Sequence, residues 1–147
     1  VEGRTRAYCP ENELVVWRNA VPLACVVVTD GDRVLLVDAA SKPGYNVPGG
    51  HPEYDEEPVV AALRELEEET GLRADPADAE LLDVRHRDAP NGLHYWVTYF
   101  RVDRADTDGA VVAGSDARAT AWFDESALEG DRPHPDAVQL SLPLLTQ

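Results

Sequence analysis

Residues 50–72 read GHPEYDEEPVVAALRELEEETGL, from Gly50 to Leu72, and the rest of the chain is best read outward from them. The centre, Arg64-Glu65-Leu66-Glu67-Glu68-Glu69, is a run of acids inside an amphipathic helical pattern. With about 100° between successive residues, Glu69 falls about 40° from Glu65 and Glu68 about 60° to the other side. Three carboxylates therefore share one stripe, with the small Ala61 beneath them. Val59, Ala62, Leu63 and Leu66 form a separate apolar stripe suited to a core, and Glu67 points away into solvent. Carboxylates this close repel one another unless a cation neutralises them, and an all-oxygen ligand set selects Mg²⁺ or Mn²⁺. Pro58 suits a first helical turn. Gly71 suits a left-handed helix stop, with Leu72 folding back on the last turn. Before the helix, Pro48-Gly49-Gly50 turns the chain and lets backbone approach a ligand.

A glutamate-rich helix face is ordinarily a solvated surface, so the wider spacing decides. Gly50, five residues, Glu56, seven residues, Arg64-Glu65-Leu66, one residue, Glu68-Glu69, one residue and Gly71-Leu72 form a pattern that arises by chance on the order of once in a million. The stretch resembles the complete signature of the Nudix hydrolase family. The resemblance covers about residues 20–130. It implies an α/β/α sandwich with a mixed sheet, a loop–helix–loop motif, and a metal held by Glu65, Glu68, Glu69 and the carbonyl of Gly49. It also implies an ion pair between Arg64 and Glu56 joining loop to helix. Asp55 stands where many members of the family carry glycine.

One domain of 147 residues is expected, with a 44 % hydrophobic share that fits an ordinary core. The formal charge of −15 argues against a nucleic-acid polymer as partner. It reads either as plain solubility or as a salt-adapted surface. Lys42 is the only lysine. No apolar run approaches the roughly 20 residues that span a bilayer, and no secretory pattern opens the chain, so the expectation is a cytoplasmic protein. Val1 and the lack of methionine imply a missing or processed start. Two cysteines provide no disulfide framework.

Residues 1–20 read as an extension to a catalytic domain over 21–147. Tyr8-Cys9-Pro10 and the run Val15-Val16-Trp17-Arg18-Asn19 resemble the second half of a zinc ribbon found in some members of the family. Asn12 occupies a ligand position and only Cys9 and Cys25 remain, so the reading is a remnant without metal. Cys25 lies in the apolar run from Val21 to Val28 and reads as core. Strands are expected at Leu23–Thr29 and Arg33–Val37, joined by Asp30-Gly31, then at Tyr45–Val47. Leu81–His86 and Leu93–Val102 flank an Asn91-Gly92 hairpin. A polar loop over Ala74–Ala79, a short strand at Ala110–Ala113 and a strand Thr120–Phe123 capped into a helix by Asp124 complete the middle. A last helix, Pro135–Leu142, should end at Pro143.

The expected reaction needs a group that orients or deprotonates an attacking water. Glu65 is one candidate and Asp116 a second, because several family members carry a carboxylate a few residues before a tryptophan such as Trp122. Arg64 completes the catalytic set. On the substrate side stand Gly50, Glu56, Tyr45 and His51, with Tyr95, Trp96 and Tyr99 as further aromatics, half of which must face core. Arg85, Arg87 and Arg101 are candidate phosphate contacts. The expected activity is Mg²⁺-dependent cleavage of a pyrophosphate bond in a nucleoside diphosphate derivative, such as ADP-ribose or a (deoxy)nucleoside triphosphate. Dimers are frequent in the family. The alternatives are a non-catalytic nucleotide-binding regulator, which would lose box glutamates, and an isomerase with a Cys–Glu pair.

Overall fold

Val26-Val27-Val28 is a run of β-branched residues, which favour a pleated and buried backbone, and it sits at the middle of the sheet. In the computed structural model, which describes residues 7–16 and 18–146, the first strands are β1 (Ala7–Cys9), β2 (Leu14–Val16), β3 (Val21–Asp30), β4 (Arg33–Ala39), β5 (Tyr45–Asn46) and β6 (Gly49–Gly50). Helix α1 (Pro58–Thr70) follows, then β7 (Arg73–Ala74), β8 (Glu80–Asp88), β9 (His94–Asp103), β10 (Thr107–Asp108) and β11 (Ala117–Asp124). Two helices close the chain, α2 (Glu125–Leu128) and α3 (Pro135–Leu145).

The main sheet runs β11-β4-β3-β9-β8, with β5 on β4 and β6 on β3. β3 and β9 pair in parallel, from Val21 opposite Tyr95 to Thr29 opposite Asp103. The other pairings are antiparallel, so the sheet is mixed. Side chains alternate between its faces. Ala24, Val26 and Val28 of β3 pack with Phe100, Val102 and the apolar stripe of α1. Val27 goes the other way, joining Val34, Leu36, Phe123, Leu128 and Leu140 beneath α2 and α3. This is the α/β/α sandwich. Ala61, Ala62 and Leu66 are fully buried, and Glu67 is exposed.

Helix α1 begins and stops where its sequence signals it. Pro58 fills the first turn, and Gly71 adopts φ 78° while its N–H returns to the Glu67 carbonyl at 2.9 Å. Asp124 Oδ1 caps α2 through Ala127 N–H at 2.8 Å.

Four local expectations differ. The first hairpin turns one residue later than Asp30-Gly31, because Asp30 pairs with Arg33 and leaves Gly31-Asp32 as the turn. Ala74–Ala79 is not an unstructured loop. Arg73–Ala74 pairs with Thr107–Asp108, and Asp75 caps a 3₁₀ turn over Pro76–Asp78. Ala110–Ala113 forms no strand, because this stretch is tied to the end of α1: Val112 N–H donates to Thr70 O at 2.8 Å, and just beyond the segment Gly114 N–H donates to Glu69 O at 3.1 Å. Helix α3 runs through Pro143 to Leu145. The ring removes one N–H within a turn of the helix end, while Leu142, Leu144 and Leu145 still pack on the core. In the N-terminal extension β1 and β2 form a two-stranded sheet of their own, with Asn12 Nδ2 donating to Cys9 Sγ at 3.7 Å. Trp17 lies outside the described residues.

Candidate active site

Arg64 is the joint between loop and helix. Nε and Nη2 grip Glu56 in a two-pronged pair at 2.7 and 2.9 Å, and Nη2 also donates to the His51 carbonyl at 3.1 Å. Nη1 reaches Glu65 Oε1 at 3.1 Å and the Glu68 carboxylate at 3.2 Å. All five guanidinium N–H groups are thereby directed at acceptors. The Arg64 hydrogen bond, with a second from Glu53 N–H, holds the Glu56 carboxyl down at about 2. The Arg64–Glu56 pair expected from the sequence is present.

Glu65, Glu68 and Glu69 project from α1 into one cleft of about 1100 Å³, and Gly49, Gly50 and His51 form its adjoining wall. A side chain at Gly50 would place its Cβ 2.6 Å from Glu65 Oε1, so the bare backbone is what lets that carboxylate lie flat on the loop. Glu69 Oε1 accepts the Gly49 N–H at 2.9 Å. Burial, reinforced by the neighbouring Glu65, Asp116 and Glu68, pushes Glu69 up to about 8 despite that hydrogen bond. Burial also raises Glu65, against the pull of Arg64. Asp116 enters from the loop before β11, its backbone carbonyl tied to Ala40 N–H at 3.2 Å, and it faces the same cleft.

These groups fit a hard divalent cation by donor type. They are all oxygen ligands, they oppose one another electrostatically, and among the described residues Glu65 Oε2 and Glu69 Oε2 accept no hydrogen bond. No three acidic, histidine or cysteine side chains among the described residues are already drawn around a single point. Arg64 Nη1, lying between Glu65 and Glu68, occupies part of that space.

The opposite side of the cleft holds Tyr95, Tyr99, Lys42, Arg87, His134 and Asp136. Tyr95 and Tyr99 face the cleft, whereas Trp96 on the reverse face of β9 is 61 % exposed. Tyr45 is not brought to the cleft. Its ring packs 5.1 Å from Phe123 and lies under the Arg132 guanidinium. His51 does line the cleft, with its ring 6.3 Å from that of Tyr95. Arg85 turns to Asp83 at 2.8 Å and Arg101 to Thr29 at 3.3 Å, so of the three candidate arginines only Arg87 reaches the cleft. Cys25 packs against the core beneath α2 and α3, as expected, and also lines the cleft. Burial pushes its thiol up to about 12, which keeps it protonated at neutral pH. Sequence reasoning missed Lys42, His134 and Asp136. The single lysine in an otherwise arginine-only chain was the available signal.

A family profile described as NUDIX domain matches residues 19–142. Phosphatase NudJ of Escherichia coli K12 is 46 % identical over 62 residues, which cover 42 % of this chain and 40 % of that protein. The chain thus spans less than half the length of the NudJ relatives it matches. The crystal structure of a MutT NUDIX hydrolase from Burkholderia pseudomallei superposes with a TM-score of 0.72 at 24 % identity, covering 84 % of this chain and 98 % of that one. A bifunctional NMN adenylyltransferase/ADP ribose pyrophosphatase from Francisella tularensis, complexed with AMP and a manganese ion, gives 0.66 at 21 % identity over 88 % of this chain and 42 % of that one.

Proposed function

The chain belongs to the Nudix family, and from that premise we propose that it is a Mg²⁺-dependent hydrolase of a phosphoanhydride bond in a small nucleotide. The substrate class is a nucleoside diphosphate linked to another group, such as ADP-ribose or a (deoxy)nucleoside triphosphate. The observation that carries this reading is the gathering of Glu65, Glu68, Glu69 and Asp116 on one cleft, with Arg64 fixing the loop against the helix.

Glu65, Glu68 and Glu69, with the carbonyl of Gly49, would hold Mg²⁺ or Mn²⁺, which supplies charge neutralisation at the phosphate oxygens when bound. Water attacks phosphorus, the P–O bond to the bridging oxygen breaks, and the bridging oxygen leaves with the second phosphate. Glu65 or Asp116 accepts the proton of the attacking water. Gly50 and His51, which line the cleft, would contact the phosphates, and Tyr95 and Tyr99 on its other side would contact the organic moiety. Arg64 positions Glu65 and Glu68.

A panel of ADP-ribose, NADH, dinucleoside polyphosphates and (deoxy)nucleoside triphosphates, assayed with Mg²⁺, tests the proposal. The Glu68→Gln, Glu69→Gln double variant should lose about 10²-fold or more in turnover on the best substrate. Wild-type turnover in that variant would show the ligand assignment to be wrong.

A further inference from the structure

The cleft has a second, oppositely charged end. Lys42, from the loop after β4, and Arg87, from β8, both face it, and Asp136 of α3 stands between them. Arg87 Nη1 donates to Asp136 Oδ2 at 2.6 Å, and Lys42 Nζ lies 4.0 Å from the same oxygen. His134 caps α3 through its Nδ1, accepting Asp136 N–H at 3.2 Å. Burial lowers both His134 and Lys42, and the neighbouring cations Lys42 and Arg87 add to the effect. Asp88, the other acid at this end, is turned to His94 Nδ1 at 2.6 Å. Two cations therefore face one carboxylate, in a chain of net charge −15 whose only lysine is one of the two.

The contrast with Arg64 shows what these cations are free to do. Arg64 directs all five N–H groups at protein acceptors. Among the described residues Arg87 directs one, and its buried Nε has no partner at all. The Lys42 ammonium makes no hydrogen bond among them, and its one ion-pair contact is the 4.0 Å approach to Asp136. A buried guanidinium nitrogen without a hydrogen-bond partner is costly, and the approach of Arg87 to the Tyr95 ring at 5.7 Å does not supply one. Cys25 lies between the two ends, within electrostatic reach of Lys42 and Arg87 on one side and of Glu69 and Glu65 on the other.

We infer that Lys42 and Arg87, oriented by Asp136, form a phosphate-binding subsite at the end of the cleft opposite the glutamates. The substrate is then one that carries a further phosphate, remote from the bond being cleaved. This rests on the phosphoanhydride reading above and narrows it. A nucleotide whose only phosphates are the scissile pair leaves this end unfilled.

The test uses the full chain with Mg²⁺ and substrate pairs that differ by one phosphate away from the scissile bond: ADP-ribose against its 2′-phosphate, and NADH against NADPH. The wild type should show the lower KM for the phosphate-richer member of at least one pair. Lys42→Ala and Arg87→Gln should each shrink that preference about 10- to 100-fold, and Lys42→Arg should largely restore it. Inorganic tripolyphosphate titrated into the full chain in metal-free buffer gives a readout independent of turnover, with binding about tenfold weaker in Lys42→Ala. Thermal melts identify a variant that has merely unfolded, and Lys42→Ala, which breaks no hydrogen bond, is the safer of the two. Hydrolysis in which every variant affects both members of a pair equally overturns the subsite and leaves the hydrolase reading standing. Tripolyphosphate binding that depends on Lys42, without hydrolysis of any substrate, supports the subsite and overturns the hydrolase reading.

Discussion

Arg64 shows how much one side chain can organise. A lysine there keeps the charge but not the fork, so Arg64→Lys should free Glu56 from the helix and let Glu65 and Glu68 drift. A displacement of about 1 Å at such a site costs roughly 10²-fold in rate, and kcat/KM of the variant checks it. Glu56 carries a pH signature with a definite sign. Its folded-state value of about 2 lies below the ordinary 4.5. Its contribution to stability is therefore complete above about pH 4.5 and is lost as pH falls toward about 2. The difference in Tm between the wild type and Glu56→Gln should be constant above pH 5 and shrink steadily below pH 4. A difference that holds unchanged to pH 2 would show that the ion pair is not what stabilises the loop. At Gly50, an added methyl meets the far end of the Glu65 side chain and not backbone. Gly50→Ala should therefore leave Tm within a few degrees of wild type while lowering kcat. The glutamate stripe was legible beforehand because a single helical turn gathers it, whereas the Arg64–Glu56 pair was implied by the family resemblance. Tyr45 was not legible, since strand alternation says that half of a set of aromatics faces inward without saying which half.

At the scale of elements, α1 carries both the core and the acids, and the two can be separated by mutation. Leu66→Ala removes a fully buried side chain and should destabilise by about 2–5 kcal/mol, read by urea denaturation. Gly71 holds φ 78°, and a Cβ there would come within 2.8 Å of the Ala110 carbonyl. Gly71→Ala should cost at least about 1–2 kcal/mol. Helix signals were read well because caps and periodicity are local. Ala110–Ala113 was misread for the opposite reason. Its apolar composition suits a strand, but the acceptor that claims its Val112 N–H is the Thr70 carbonyl, far earlier in the chain. Pro143 was expected to end α3, yet a ring so near the terminus removes only one hydrogen bond, which the packing of the last leucines offsets.

For the whole molecule, the layered architecture and the acidic wall of the cleft were readable from one motif. Of the basic end only Arg87 was named, because Lys42, His134 and Asp136 come from segments with no spacing rule that ties them to it. Among the described residues no helix is long and apolar enough to cross a membrane. The net charge of −15 should be felt as self-repulsion that salt screens. If the surface is salt-adapted, Tm should climb continuously from low to molar NaCl. A melt that is flat over that range would leave solubility as the whole explanation.

The parallel pairing of β3 with β9 also sets the order in which this protein can be made. On the ribosome β3 emerges first, α1 follows, and the parallel partner of β3 lies more than seventy residues after it, Tyr95 opposite Val21. Until it arrives, the oily side of α1 has only part of its bed, and the nascent chain is sticky. Translation stalled after α1 has left the exit tunnel but before β9 has should leave a species that chaperones hold and proteases cut, its helix resting on β3 without β9 beside it.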